Sequence, residues 1–310
     1  MIGTVIFIDS VHEVLQSELE KAGFNCFIEE EKNPQELSLK YPETCGIVVR
    51  SRWKMTPTIM DLFPNLQWIA RSGSGLENID IDYAKEKGIR VLSSPEGNAD
   101  AVGEYVVGMM LTLLRHYVSA NLSVKNSEWL REKHRGKELK SQTIGIIGLG
   151  HMGKSVAEKL DGLGCHVIAH DKYLIESPFS NIPLVSLDEI FLKADIVTLH
   201  LPLTPETRDY ANFSFFQSFK KPIYFINTAR GQHCVTQDLI HAVHDGQVLG
   251  AALDVLEFES TQLIVQNETS TVFKELLETK NILLSPHIAG WTTESYYKLS
   301  KVLAEKILGH

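Results

Sequence analysis

Six groups with chemical capability recur along the second part of this chain. They are the glycines Gly148, Gly150 and Gly153, then Asp171, His200, the run Thr228-Ala229-Arg230-Gly231, Asp254 and His287. Each closes a short apolar run, so each is expected at the carboxyl end of a strand. Open parallel sheets bind their ligands at that edge. The residue types are complementary. Histidine can hold or release a proton near neutral pH, an arginine fork can orient a carboxylate, and an aspartate can accept from a diol.

The glycines open the most informative stretch, Thr143-Ile-Gly-Ile-Ile-Gly-Leu-Gly-His-Met-Gly153. Ile144, Ile146 and Ile147 read as a buried strand, and the glycines follow in G-x-G-x-x-G spacing. From His151 onward Met152, Val156, Leu160 and Leu163 recur at helical spacing, and Gly164 stands where a helix ends in a left-handed residue. A second apolar run, Cys165 to Ala169, leads to Asp171, about 20 residues beyond the first glycine. Strand, glycine turn, helix, strand and acid form the fingerprint of a dinucleotide site. Gly148 permits the turn, Gly150 lets backbone approach a pyrophosphate, and Gly153 lets helix and strand pack. The helix N-terminus, from His151 and Met152, offers N–H groups to the phosphates. Asp171 is placed to accept from ribose hydroxyls, which selects NAD over NADP. With a dinucleotide held there, a proton donor (His287) and a cation (Arg230) complete what hydride transfer at a carbonyl needs.

Further strands are predicted at 195–200, 223–227, 248–254 and 282–285, making six with the first two. A helix over 237–244 is stopped by Gly246. Ahead of the fingerprint, runs at 4–9, 24–28, 46–50, 67–71 and 90–93 alternate with amphipathic segments such as 11–22 and 81–87. That rhythm implies another parallel α/β domain. Its fourth strand ends in a second glycine-rich turn, Arg71-Ser-Gly-Ser-Gly-Leu76. Residues 97–118 read as one long helix, apolar nearly all round (Val102, Val106, Val107, Met109, Met110, Leu113, Leu114), which needs burial on several sides. It is expected to cross between domains, form a subunit interface, or both. Residues 260–281 break the rhythm as a polar loop with a short helix over 272–277, and 293–308 form a terminal helix.

The chain has 310 residues, enough for two domains, and a net charge of −9. With no basic run, nucleic acid and anionic membranes are poor partners. The longest apolar stretch, Val106 to Leu114, is too short to span a bilayer. Cys26, Cys45, Cys165 and Cys234 form no C-x-x-C pair, and no metal site or signal peptide is evident. These features lead us to expect a cytoplasmic protein.

Several ordered blocks together resemble the D-isomer-specific 2-hydroxyacid dehydrogenase family. They are GLGHMG with Asp171, HLPLTPETR at 200–208, NTARG at 227–231, ALDVLEFE at 252–259 and SPHIAG at 285–290. VVRSR at 48–52, RSGSGLENID at 71–80 and SPEGNADAVGEYVVG at 94–108 join them in the front half. The resemblance spans nearly the whole chain. It implies two doubly wound parallel-sheet domains: a flavodoxin-like substrate domain (1–95 and 288–310) and an inserted NAD-binding Rossmann domain (96–287). It implies NAD-linked interconversion of a D-2-hydroxy acid and its 2-keto acid, usually in a homodimer. Carried over, Arg230 would bind the substrate carboxylate, His287 would be the general acid/base, and Glu259 its carboxylate partner. Glu257 is the alternative, because Ser260 stands where the family usually has proline and the following segment is long. NAD would be held by the glycine motif, Asp171, His200, Leu201, Pro202, Thr228, Ala229, Arg230, Asp254, His287, Gly290 and Ser74. Gly73 and Ser74 would hold the substrate carboxylate through their backbone.

Arg50 and Arg71 each end a strand of the first domain and match arginines of the phosphoglycerate dehydrogenase branch. They point to a phosphorylated substrate, 3-phosphoglycerate, and to serine biosynthesis. The end at His310 leaves no room for the regulatory domain some members of that branch carry. Glyoxylate, hydroxypyruvate and other 2-hydroxy or 2-keto acids are the alternatives. An NADH-responsive binding module of the same fold, like the C-terminal-binding co-repressors, is a further one.

Overall fold

The computed structural model describes residues 3–29, 33–259 and 270–309. These fall into two compact units, 3–99 with 291–309 and 100–259 with 270–290.

The first unit is a five-stranded sheet of β1 (Gly3–Phe7), β2 (Phe24–Ile28), β3 (Thr44–Val49), β4 (Trp68–Arg71) and β5 (Arg90–Ser93). All pairs are parallel and the order is β2-β1-β3-β4-β5, the flavodoxin-like order. Strand alternation divides its core in two. Val5, Phe7 and Val48 meet Leu303, Ala304 and Ile307 of the terminal helix Thr293–Leu308 on one face. Ile6, Ile47, Val49 and Ile69 meet Met55, Met60 and Phe63 on the other. The terminal helix spans the residues that the sequence predicts. It starts with a capping box in which Thr292 and Ser295 each satisfy the other's backbone.

The second unit holds β6 (Thr143–Ile147), β7 (His166–His170), β8 (Ile196–Leu199), β9 (Ile223–Asn227), β10 (Val248–Leu253) and β11 (Ile282–Leu284). They are parallel, in the order β11-β10-β9-β8-β6-β7. A single parallel bridge, Ala169 to Leu184, extends the sheet beyond β7. The order reverses between β6 and β8, so the carboxyl ends of those two strands flank the switch point. Ile144, Ile146, Ile196 and Ile226 pack beneath helices Ala99–Arg115 and His151–Gly162. Val197, Leu199 and Phe225 pack with Phe215, Phe216, Leu239 and Ile240 on the opposite face.

The long helix expected over 97–118 is three pieces. A 3₁₀ turn covers Pro95–Gly97, helix Ala99–Arg115 follows, and a separate helix runs Tyr117–Lys125. The break is at His116, whose φ of 55° is left-handed and cannot continue a right-handed helix. Apolar periodicity continues across the break, which is why it is invisible in the pattern. The short helix expected over 272–277 is Thr271–Glu278, capped by the Ser270 hydroxyl accepting from the Phe273 N–H at 3.1 Å. The rest of that predicted loop, 260–269, lies outside the described residues.

Candidate active site

The glycine turn after β6 is shaped by close backbone contacts. Gly148 has φ 92°, and a Cβ there would lie 2.6 Å from the His200 carbonyl oxygen. A Cβ on Gly153 would lie 2.0 Å from the Gly148 oxygen. These two glycines therefore fuse turn, helix and β8. Gly150 has open space around its missing Cβ, and it caps helix His151–Gly162 without a side-chain bond. A bare helix N-terminus with room before it is what a pyrophosphate requires.

Asp171 is fixed at this turn. Its carboxylate accepts from the N–H groups of Leu149 at 2.7 Å, Tyr173 at 2.9 Å and Leu174 at 3.1 Å. Burial raises its pKa, but the three N–H bonds outweigh burial and the net shift is downward. Asp171 is therefore ionised at neutral pH. Lys172, beside it in sequence, is paired with Glu206.

His200, expected among the cofactor groups, turns its ring inward. The ring is buried and its Nε2 meets the Thr198 hydroxyl at 2.9 Å. Its contribution to the turn is the backbone carbonyl against Gly148. The Pro202 carbonyl is used by Thr207 Oγ1 at 2.6 Å and the His233 ring at 3.2 Å. Thr228 Oγ1 is buried with no hydrogen-bond partner among the described residues, an orphan that suits a bound polar ligand at the end of β9. The orphaned hydroxyl, the open Gly150 and the fixed Asp171 together fit a dinucleotide.

The loop after β9 is tied by Asn227, whose Oδ1 accepts from Ala229 N–H at 3.1 Å and whose Nδ2 donates to the Arg230 carbonyl at 2.9 Å. Arg230 donates from Nη1 to the Ala229 carbonyl at 2.6 Å. Next to it, a Cβ on Gly231 would sit 1.9 Å from the Leu256 backbone. The arginine loop thus lies directly on the segment that carries Glu259.

Glu259 Oε2 meets His287 Nδ1 at 2.8 Å, and the Leu256 N–H donates to its other oxygen at 2.5 Å. A carboxylate only accepts, so Nδ1 carries the proton of the neutral ring and Nε2 is the exchanging nitrogen. Glu257 is turned elsewhere. It is bonded to Thr236, and burial raises its pKa. His287 itself has φ 57°. Its turn is held by Asp254, which is fully buried. The Asp254 carboxylate accepts from Ser285 Oγ at 2.6 Å, Ile288 N–H at 2.9 Å and Ala289 N–H at 2.7 Å. Both oxygens of Asp254, expected among the groups that hold NAD, are therefore engaged by this turn. Nothing in the sequence pattern marks Asn227 or Ser285 as organisers, although both lie inside the quoted blocks.

In the first unit, Arg50 follows β3 and Arg71 ends β4. Arg71 Nε donates to the Arg50 carbonyl at 3.1 Å. Asn78 Nδ2 donates to the same carbonyl at 3.2 Å and to that of Trp53 at 3.0 Å, a holding role the sequence did not reveal. Ser74 spends its hydroxyl on Asn98 Oδ1 at 2.7 Å, so its backbone and that of Gly73 are what it can offer a ligand.

The NAD-binding-domain model of the D-isomer-specific 2-hydroxyacid dehydrogenases matches residues 107–289. A hydroxypyruvate reductase of Thermotoga maritima is 38% identical over 274 residues, covering 88% of this chain and 86% of that protein. This chain belongs to the D-isomer-specific 2-hydroxyacid dehydrogenases. It is an NAD-dependent oxidoreductase acting on a CH–OH group. A D-3-phosphoglycerate dehydrogenase of Synechocystis is 36% identical, covering 86% of this chain but 47% of that longer protein. A D-lactate dehydrogenase of Aquifex aeolicus, solved with NAD and lactic acid, superposes with a TM-score of 0.83 at 26% identity, covering 99% and 94% of the two chains. Among the described residues no helix is long and apolar enough to cross a membrane.

Burial pushes the His200 pKa down to about 3. In the unfolded chain it titrates near 6.5. Between those values the unfolded chain binds a proton that the folded chain refuses, so stability falls as pH falls through that window. The slope is about 1.4 kcal/mol per pH unit for one proton. His200→Asn should lack this contribution. Denaturant unfolding at pH 7 and pH 5 should show the parent losing more stability than the variant. Equal losses would place the ring in contact with solvent.

Proposed function

We propose that this protein interconverts 3-phosphoglycerate and its 2-keto acid, with Arg230, Glu259 and His287 as the catalytic groups. The observation that carries the catalytic part is the Glu259–His287 contact at 2.8 Å on a segment that abuts the Arg230 loop. Arg230 binds the substrate carboxylate and polarises the keto oxygen with its fork of donors. Glu259 holds the imidazole by Nδ1. In reduction, protonated His287 delivers the Nε2 proton to the oxygen. In oxidation, neutral His287 takes it back. NAD, when bound, takes or supplies the hydride at the substrate's C2. Arg50 and Arg71 bind the distal phosphate, and the Gly73 and Ser74 backbone supports the carboxylate. Hydroxypyruvate, the same acid without phosphate, is the second reading, favoured by the Thermotoga relative that this chain nearly covers.

The reading is tested by following NADH across a panel of 2-hydroxy and 2-keto acids with and without phosphate. 3-Phosphoglycerate and its keto acid should show the highest kcat/KM. No turnover on any acid would favour a binding module. On the best substrate, His287→Ala should lower kcat by about 10²–10⁴, the usual worth of a positioned acid/base. Arg230→Lys should lower kcat/KM despite the kept charge, because one ammonium cannot form the bidentate pair. Near-parent kcat in His287→Ala would remove the histidine from the mechanism.

We also propose that NADP is disfavoured. A 2′-phosphate would face the ionised Asp171. Like charges ~4 Å apart cost about 1 kcal/mol in water and about 4 at an effective dielectric of 20. NAD should therefore be preferred by roughly tenfold to a thousandfold in kcat/KM. Asp171→Asn should narrow the ratio, and equal efficiencies in the parent would refute the assignment.

We propose a cytoplasmic homodimer. Tyr117, Val118, Leu122, Val124 and Trp129 are each about half exposed or more along one continuous segment, a run of apolar surface that solvent does not favour. Light scattering should give twice the chain mass. Leu122→Asp with Trp129→Asp should give the monomer, and a parent monomer would refute the dimer.

A further inference from the structure

The sheet order β2-β1-β3-β4-β5 reverses between β1 and β3, so the first unit has its own switch point at the carboxyl ends of those strands. Asp9 follows β1 and Arg50 follows β3, which places both at that point. Asp9 accepts from Arg50 N–H at 2.6 Å and Arg52 N–H at 3.4 Å, and its other oxygen lies 3.9 Å from the Arg52 guanidinium. The Arg50 guanidinium lies over the Trp291 ring, 4.5 Å from its centroid. Its one hydrogen bond among the described residues is a long one, Nη1 to the Ser10 carbonyl at 3.4 Å. It makes no ion pair with a carboxylate among them. Trp291 is in turn braced by Tyr296, with ring centroids 5.8 Å apart, and Tyr296 by His12 at 5.7 Å. Arg50 is held in a partly buried setting where desolvation disfavours its charge.

A guanidinium has five N–H donors, all in its plane. An aromatic ring on its face consumes none of them. The contact with Trp291 therefore restrains the side chain, while its one long bond to Ser10 uses a single donor among the described residues. Burial makes this a costly arrangement that the nearby Asp9 offsets only in part, and a further anion at the guanidinium would complete it.

We propose that Trp291 is a positioning residue for the distal anion of the substrate, presenting the edge of the Arg50 guanidinium to it. This rests on the reading that the substrate is phosphorylated. The phosphate subsite is then at the β1/β3 switch point, and its selectivity comes from an arginine ordered before binding rather than by it. Ordering a mobile arginine at the moment of binding weakens binding by up to roughly tenfold.

The test compares 3-phosphohydroxypyruvate with hydroxypyruvate in the parent, Arg50→Ala, Trp291→Ala and Trp291→Phe, after thermal unfolding has shown the variants folded. Trp291→Ala should reduce the preference for the phosphorylated acid by roughly tenfold, with the loss in KM rather than kcat. Trp291→Phe, which keeps a stacking face, should restore most of it. Arg50→Ala should reduce it further, and adding Trp291→Ala to Arg50→Ala should change little. Inorganic phosphate, tested as a competitive inhibitor of hydroxypyruvate reduction, reads the subsite independently of the substrate. It should inhibit the parent more strongly than either alanine variant. If the parent does not prefer the phosphorylated acid, the substrate reading fails; the subsite still stands if phosphate inhibition depends on Trp291 and Arg50. If Arg50→Ala is selective and Trp291→Ala is not, or if phosphate inhibits all forms alike, the positioning role is overturned.

Discussion

The buried carboxylate of Asp254 is the constraint on which the edge carrying His287 depends. Three donors converge on it, two of them backbone N–H groups of the turn after β11. A buried carboxylate costs several kcal/mol unless its lone pairs are satisfied. Here the groups that satisfy it belong to the residues around His287, so the charge and the turn stabilise each other. The turn is tight enough to force His287 to φ 57°, a conformation that costs roughly 1–2 kcal/mol for an L-residue. The His287 N–H also donates to the Asp254 carbonyl at 2.8 Å, which anchors the strained residue itself. Strain of this kind persists only where the surroundings over-determine it.

The same edge is built by backbone touching backbone. Gly148 against the His200 carbonyl, Gly153 against Gly148 and Gly231 against Leu256 are approaches that no side chain could occupy. The first and the last each join two loops that follow different strands, and the second packs the helix after β6 onto its own turn. The effect is to make the loops after β6, β8, β9 and β10 a connected surface with little independent motion. Hydride transfer needs reacting atoms held to within a fraction of an ångström, and fused loops supply that more reliably than long side chains can.

Much of this was legible from the sequence. Short apolar runs marked the strands of both sheets, including Phe24–Ile28, Arg90–Ser93 and Ile223–Asn227, with their observed ends. The glycine spacing located the turn between β6 and its helix, against which Asp171 is fixed. Three things were not legible, for physical reasons. The break at His116 leaves no mark because the residues on either side keep the same apolar spacing, and histidine tolerates the left-handed region better than most. The choice between Glu259 and Glu257 is a matter of which carboxylate the loop turns toward His287, and Gly231 packing on Leu256 sets that from a distant part of the chain. His200 has the same residue type as a catalytic histidine, but only burial beside Thr198 shows that its ring stays neutral inside the sheet.

The anions of this edge share a further property. Asp171 is answered by three backbone N–H groups, Asp254 by two with a serine hydroxyl, and Glu259 by one with the imidazole. Fixed dipoles, not long cationic side chains, settle these charges. A backbone donor has no rotamer to lose and does not detach when salt screens the surface. The carboxylates are therefore held in position by groups that do not themselves move.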